Sequence, residues 1–156
     1  MRKFLGAFVA SLVVIGSASA ADTGSHTVTV TVSAINEVSV SGGNVALTIA
    51  SGDTSGPSAT SDATTADLLW STNETNKKIT VATSLATVDF PLTVEATNVS
   101  GGTSGGPVTL STTAQNLVTG ISRTSGTADL AYAASATAAA GTGSNVHTVT
   151  YTITAE

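Results

Sequence analysis

Gly102-Thr103-Ser104-Gly105-Gly106 reads as G-x-S-x-G, and Asp129 and His147 follow it in the chain. That order belongs to hydrolases in which a serine on a sharp turn attacks a carbonyl, a histidine takes its proton and a carboxylate orients the histidine. The chemistry needs a strand running directly into a helix at the top of a parallel sheet. Ser104 lies instead in a Gly- and Ser-rich stretch between two strand-like runs, in a chain of 156 residues that is short for such a fold. The motif is therefore read as a by-product of composition, and no enzyme and no catalytic residue is expected.

The remaining chemical groups are sparse. His26 and His147 are the two histidines, and two imidazoles cannot close a structural zinc site without carboxylates. Asp53, Asp62 and Asp67 fall in a polar stretch rich in oxygen ligands, but their spacing fits no EF-hand loop. They are read as turn-capping side chains, and no metal or other cofactor is expected. Asn73 in "NET" and Asn98 in "NVS" fit the N-glycosylation acceptor pattern and both fall in expected loops, so they stand as candidate modification sites.

Those residues need elements to position them, and the composition says which kind. Charged residues make up 10 % of the chain, and there is no cysteine. Arg2 and Lys3, then an apolar run, then Ala18-Ser19-Ala20 have the form of a secretory leader. Residues 1–20 are thus expected to be removed, leaving 21–156 as one domain that is exported to the periplasm, the cell surface or the medium. Only Lys77, Lys78 and Arg123 would then stand against ten acidic residues. Such a surface repels polyphosphate, which excludes nucleic acid as a partner. No further apolar run is long enough to span a bilayer.

Strand signals dominate the remainder. Alternating Val, Thr and Ile runs separated by Gly, Ser and Asn predict strands at 26–34, 37–40, 45–50, 67–72, 78–84, 90–97, 107–111, 128–137 and 146–154. Residues 112–121 offer a short helical turn ended by Gly120. Residues 51–67 and 98–107 read as long polar loops, the second a Gly-rich hairpin connection. The pattern predicts an all-β, Ig-like antiparallel sandwich of about eight or nine strands. Its expected inward row comprises Val28, Val30, Val32, Val45, Leu47, Ile49, Leu68, Trp70, Ile79, Val81, Leu92, Val94, Val108, Leu110, Leu130, Tyr132, Val149, Tyr151 and Ile153.

The most informative feature is a near-repeat. "HTVTVTVSA" at 26–34 and "HTVTYTITA" at 147–155 place Thr on one face and apolar residues on the other. Either both are ordinary terminal strands of one sandwich, or residues 21–34 form an exchangeable strand that fills a neighbouring subunit by β-strand addition. On the second reading Val28, Val30 and Val32 are the interface. Burying three valines contributes roughly 4.5–9 kcal/mol at about 1.5–3 each.

The series "AINEVSVSGGNVALTI", "LLWSTNETNKKITV", "FPLTVEATNVSGG", "GPVTLSTTAQNLVTGI" and "HTVTYTIT" resembles bacterial secreted β-sandwich proteins, similar in outline to spore coat U-type domains and to pilin-like subunits of chaperone–usher systems. The resemblance covers residues 34–155 and implies export and a surface or fibre-subunit role. Many pilin subunits carry a disulfide, which this chain cannot form. The expected function is a non-enzymatic structural or surface protein, a fibre or pilus-like subunit whose partners are copies of itself or other envelope subunits. The alternative is a carbohydrate- or surface-binding module, which would need exposed aromatics. Trp70, Phe90, Tyr132 and Tyr151 are the candidates, and all four are expected to face inward.

Overall fold

A computed structural model describes residues 23–50, 52–53, 56–60, 66–86 and 89–156, with backbone alone for 52–53 and 56–60. The expected leader lies outside the described residues. The chain divides into a unit ending at Thr31 and a second running from Val32 to Glu156. In the first, residues 23–31 are exposed and form no strand. The second is an antiparallel two-sheet sandwich, as the alternation predicts.

Its strands are β1 (Asn36–Gly42), β2 (Gly52–Asp53), β3 (Gly56–Thr60), β4 (Ala66–Thr72), β5 (Lys77–Thr83), β6 (Leu92–Ser100), β7 (Thr103–Ser104), β8 (Val108–Thr109), β9 (Gln115–Ile121), β10 (Ser125–Ser135) and β11 (Val149–Ala155). The larger sheet is built on β10. One of its edges pairs with β4 and, farther along, with β3, and the other pairs with β6. β1 lies beyond β4, β2 beyond β3, and β8 beyond β6. The smaller sheet runs β11–β5–β9–β7. No helix among the described residues is long and apolar enough to cross a membrane.

Alternation turns one face of each sheet inward. β4 buries Ala66, Leu68, Trp70 and Thr72, and β5 buries Ile79, Val81 and Thr83. Leu68, Ile79, Val81, Val94, Leu117, Val118, Ile121 and Leu130 are fully buried. Each contributes about 1.5–3 kcal/mol relative to exposure, so this cluster supplies most of the drive to close the sheets. The sheets are also tied across the core, where Tyr132 Oη on β10 lies 2.6 Å from Tyr151 Oη on β11. Burial pushes the pKa of both phenols up, so the pair stays neutral and shares a hydroxyl hydrogen bond.

The inward row of β10 is graded in size, from Gly126 through Ala128 and Leu130 to Tyr132. Gly126 sits opposite Trp70 in the β4–β10 ladder. A Cβ there would lie 2.3 Å from two atoms of the indole and 2.4 Å from the Ser100 carbonyl oxygen. The absent side chain is thus the space that the ring fills.

Four expectations are corrected. Residues 26–34 form no strand, and Val28, Val30 and Val32 are not core but 71, 81 and 72 % exposed, because no ladder partner among the described residues meets them. Residues 45–50 also enter no ladder. Their alternation survives, with Val45, Leu47 and Ile49 half-buried and the first two packed on the core. Residues 112–121 hold strand β9 in place of a helical turn. Leu117 and Val118 are both buried although adjacent, and register shifts in the β5–β9 ladder accommodate the break in alternation. The two polar stretches are not plain loops. The first contains β2 and β3, and the second crosses to the smaller sheet through β7 before returning as β8.

Gly126→Ala is expected to destabilise the fold by about 1–3 kcal/mol, the usual range for overpacking a filled core. Urea unfolding followed by the fluorescence of Trp70 measures it. An unchanged midpoint would show that the indole is not packed on Gly126.

Candidate functional site

The structure keeps Ser104, Asp129 and His147 apart. Ser104 is on β7, and its Oγ accepts a hydrogen bond from Gly106 N at 3.1 Å. His147 precedes β11, at the opposite edge of the same sheet, so three strand spacings, about 14 Å, intervene. Asp129 is in the other sheet, where its Oδ2 accepts from Asn98 Nδ2 at 2.7 Å. The residue order of a triad is present, and its geometry is not.

Among the described residues, no three His, Asp or Glu side chains gather to hold a metal. His147 Nδ1 instead shares a 3.0 Å hydrogen bond with Thr83 Oγ1, and partial burial lowers the imidazole pKa. The side chains of Asp53 and Asp62 lie outside the described residues. Asp67 Oδ2 accepts from Ser41 Oγ at 3.1 Å, and Asp67 stands directly opposite Asp129 in the β4–β10 ladder. Trp70 and Tyr132 are buried and Phe90 and Tyr151 half-buried, as expected, so the described residues offer no exposed aromatic platform.

Asn98 holds a left-handed backbone, φ 50°, with its amide committed to Asp129. Asn73 does more. Its Oδ1 accepts from Ile35 N at 2.8 Å, its Nδ2 donates to Ser33 O at 2.7 Å, and its own N donates to Ile35 O at 3.3 Å. A side-chain amide carries the same donor and acceptor as a peptide, so Asn73 serves residues 33–35 as one more rung of strand. The atom to which a glycan would attach is the atom that binds Ser33.

A polar network braces this clamp. Thr72 Oγ1 donates to Asn36 Oδ1 at 2.8 Å, Asn36 Nδ2 donates to Glu74 Oε2, and Lys77 Nζ lies 2.8 Å from the same carboxylate oxygen. Glu74 N donates to Thr72 Oγ1 at 3.0 Å, and Glu74 O accepts from Arg123 N at 2.9 Å. Asn36, Thr72 and Glu74 were not singled out by sequence reasoning. The turn-rich "STNETN" is the signal that marks Thr72 and Glu74, since Asn and Thr side chains there compete for backbone groups, and Asn36 lies outside it.

The clamp holds residues 33–35, which precede β1 and follow residues 26–32 in the chain. The segment at 26–32 has a counterpart inside the fold, for β11 carries nearly the same sequence. β11 turns Val149, Tyr151 and Ile153 inward, half-buried, and Thr150, Thr152 and Thr154 outward. It is a marginal strand, paired among the described residues with β5 alone. The structure therefore presents an exposed valine row on one segment and an open strand edge on its near-copy. Compared with family models, curated proteins and solved structures, the chain matches none of them.

Two outcomes test the clamp. Asn73→Ala is expected to cost about 1–3 kcal/mol through the loss of two side-chain hydrogen bonds at about 0.5–1.5 each, and to speed amide exchange at Ile35. Unchanged exchange there would contradict it. The Asn36 hydrogen bond and then the Lys77 ammonium hold the Glu74 carboxyl below its ordinary 4.5. A carboxylate so depressed stabilises the fold fully above its unfolded pKa and loses that contribution as pH falls through the folded one. The stability advantage of the parent over Glu74→Gln should be constant at neutral pH and shrink below about pH 4.5. An advantage independent of pH would refute the pairing.

Proposed function

We propose that this is an exported, non-enzymatic structural protein whose subunits join when the segment at residues 26–32 adds as a strand to a neighbour. The observation that supports this reading is the exposure of Val28, Val30 and Val32 on an alternating, uncharged segment that forms no strand. Three valines held in water are a standing drive for association, worth roughly 4.5–9 kcal/mol if each is buried at about 1.5–3. Strand pairing adds backbone hydrogen bonds and a fixed in/out register to that drive.

A segment of one copy that enters a different surface of the next makes a head-to-tail contact. Such a contact propagates into a fibre unless its rotation happens to close a ring. The partners are then copies of this chain or related envelope subunits, and the location is the periplasm, the cell surface or the medium. The leader-like first twenty residues support export.

Val30→Asp separates assembly from folding, because Val30 is 81 % exposed and the sandwich does not depend on it. Light scattering and negative-stain electron microscopy should show oligomers or fibres for the parent and monomers for Val30→Asp at equal thermal stability. A parent that stays monomeric at every concentration overturns the reading.

A further inference from the structure

If subunits join through residues 26–32, the sandwich must offer them a seat, and its strand edges differ sharply in what they can accept. β2, β7 and β8 are each two residues long, too short to template a segment of this length. β1, at the margin of the larger sheet, carries Glu37, and charged side chains on a marginal strand oppose pairing. β11 offers seven residues without a charged side chain, and among the described residues its only ladder partner is β5.

The sandwich is also incompletely closed on this side. Val149, Tyr151 and Ile153 on the inner face of β11 are only half-buried. β1 lies against β11 there, and its inner row is likewise uncovered, with Val38 half-buried and Val40 48 % exposed. A strand placed beside β11 would carry its own inner row over this apolar margin.

The segment at 26–32 has the pattern such a strand needs. Val28, Val30 and Val32 stand at the positions of Val149, Tyr151 and Ile153 in the near-repeat, and Thr27, Thr29 and Thr31 at those of Thr148, Thr150 and Thr152. Laid beside β11, its valines continue the inner face and its threonines continue the outer one, where Thr–Thr cross-strand pairs are favourable. Replacing β11 on β5 is the other geometry that the near-repeat allows. It forfeits the Tyr132–Tyr151 hydrogen bond, because Val30 stands where the tyrosine would be.

We infer that the free edge of β11 is the acceptor for residues 26–32 of a second copy, which add outside β11 and leave it paired with β5. This assignment rests on the strand-addition reading above, and the test separates the two.

The chain has no native cysteine, so introduced pairs report contact without background. Thr29→Cys protein is mixed under mild oxidation with protein carrying one cysteine at Thr150 or Thr152 on β11, at Ala82 on β5, or at Thr109 on β8. Adjacent strands lie about 4.8 Å apart and alternate ones about 9.6 Å, beyond the roughly 7 Å limit for a disulfide. The expected result is a heterodimer with Thr150→Cys or Thr152→Cys, lost when Val30→Asp is added to the donor, and none with Ala82→Cys or Thr109→Cys. Heterodimers at Ala82 mean that the segment displaces β11, and heterodimers at Thr109 place it on the other sheet. Either result overturns this acceptor while strand addition stands. Absence of any oligomer overturns both.

Discussion

β10 is the strand on which the rest of the molecule depends. Its backbone is hydrogen-bonded along both edges, to β4 and β3 on one side and β6 on the other. A strand so enclosed leaves its polar groups no access to water, and the ladders must therefore satisfy them. Its inward row then sets the spacing of the two sheets. Gly126 makes room for Trp70, Leu130 fills the centre, and Tyr132 reaches Tyr151 on the opposite sheet. The grading is a packing solution, in which the largest ring of the core lies against the one position without a side chain.

The margins follow a different rule from the centre. Where a strand has only one neighbour, its free edge invites a second, and most margins here are blunted by shortness or by charge. β11 is neither short nor charged. The clamp made by Asn73 works on the same principle at smaller scale, because one amide side chain supplies the donor and acceptor that residues 33–35 would otherwise find in a strand. The sandwich is thus saturated at its middle and unsaturated at one edge.

Much of this was legible in the residues. Wherever apolar side chains alternate strictly, as in β4, β5 and the middle of β10, burial follows the letters of the sequence. β9 was illegible for a local reason: Leu117 and Val118 are neighbours that both point inward, which only a ladder irregularity permits, and such an irregularity has no period to detect. Residues 26–34 failed in the opposite way. Their alternation is the cleanest in the chain, yet alternation specifies only that a strand can form and says nothing of where its partner is. The clamp was hidden because it joins residues about 40 positions apart through side-chain amides, and no local pattern encodes that distance. The scattered Ser104, Asp129 and His147 show the converse, a familiar order of residues that the topology never brings together.

The central claim is that residues 26–32 are not a strand of their own sandwich and pair with another copy, as proposed above. Amide hydrogen exchange across a dilution series tests this directly. The account predicts strong protection of β5 and β10 at every concentration, with residues 26–32 exchanging freely in the dilute monomer and becoming protected as subunits associate. Protection of residues 26–32 as strong as that of β10 in the dilute monomer would contradict it, for the segment would then belong to its own fold.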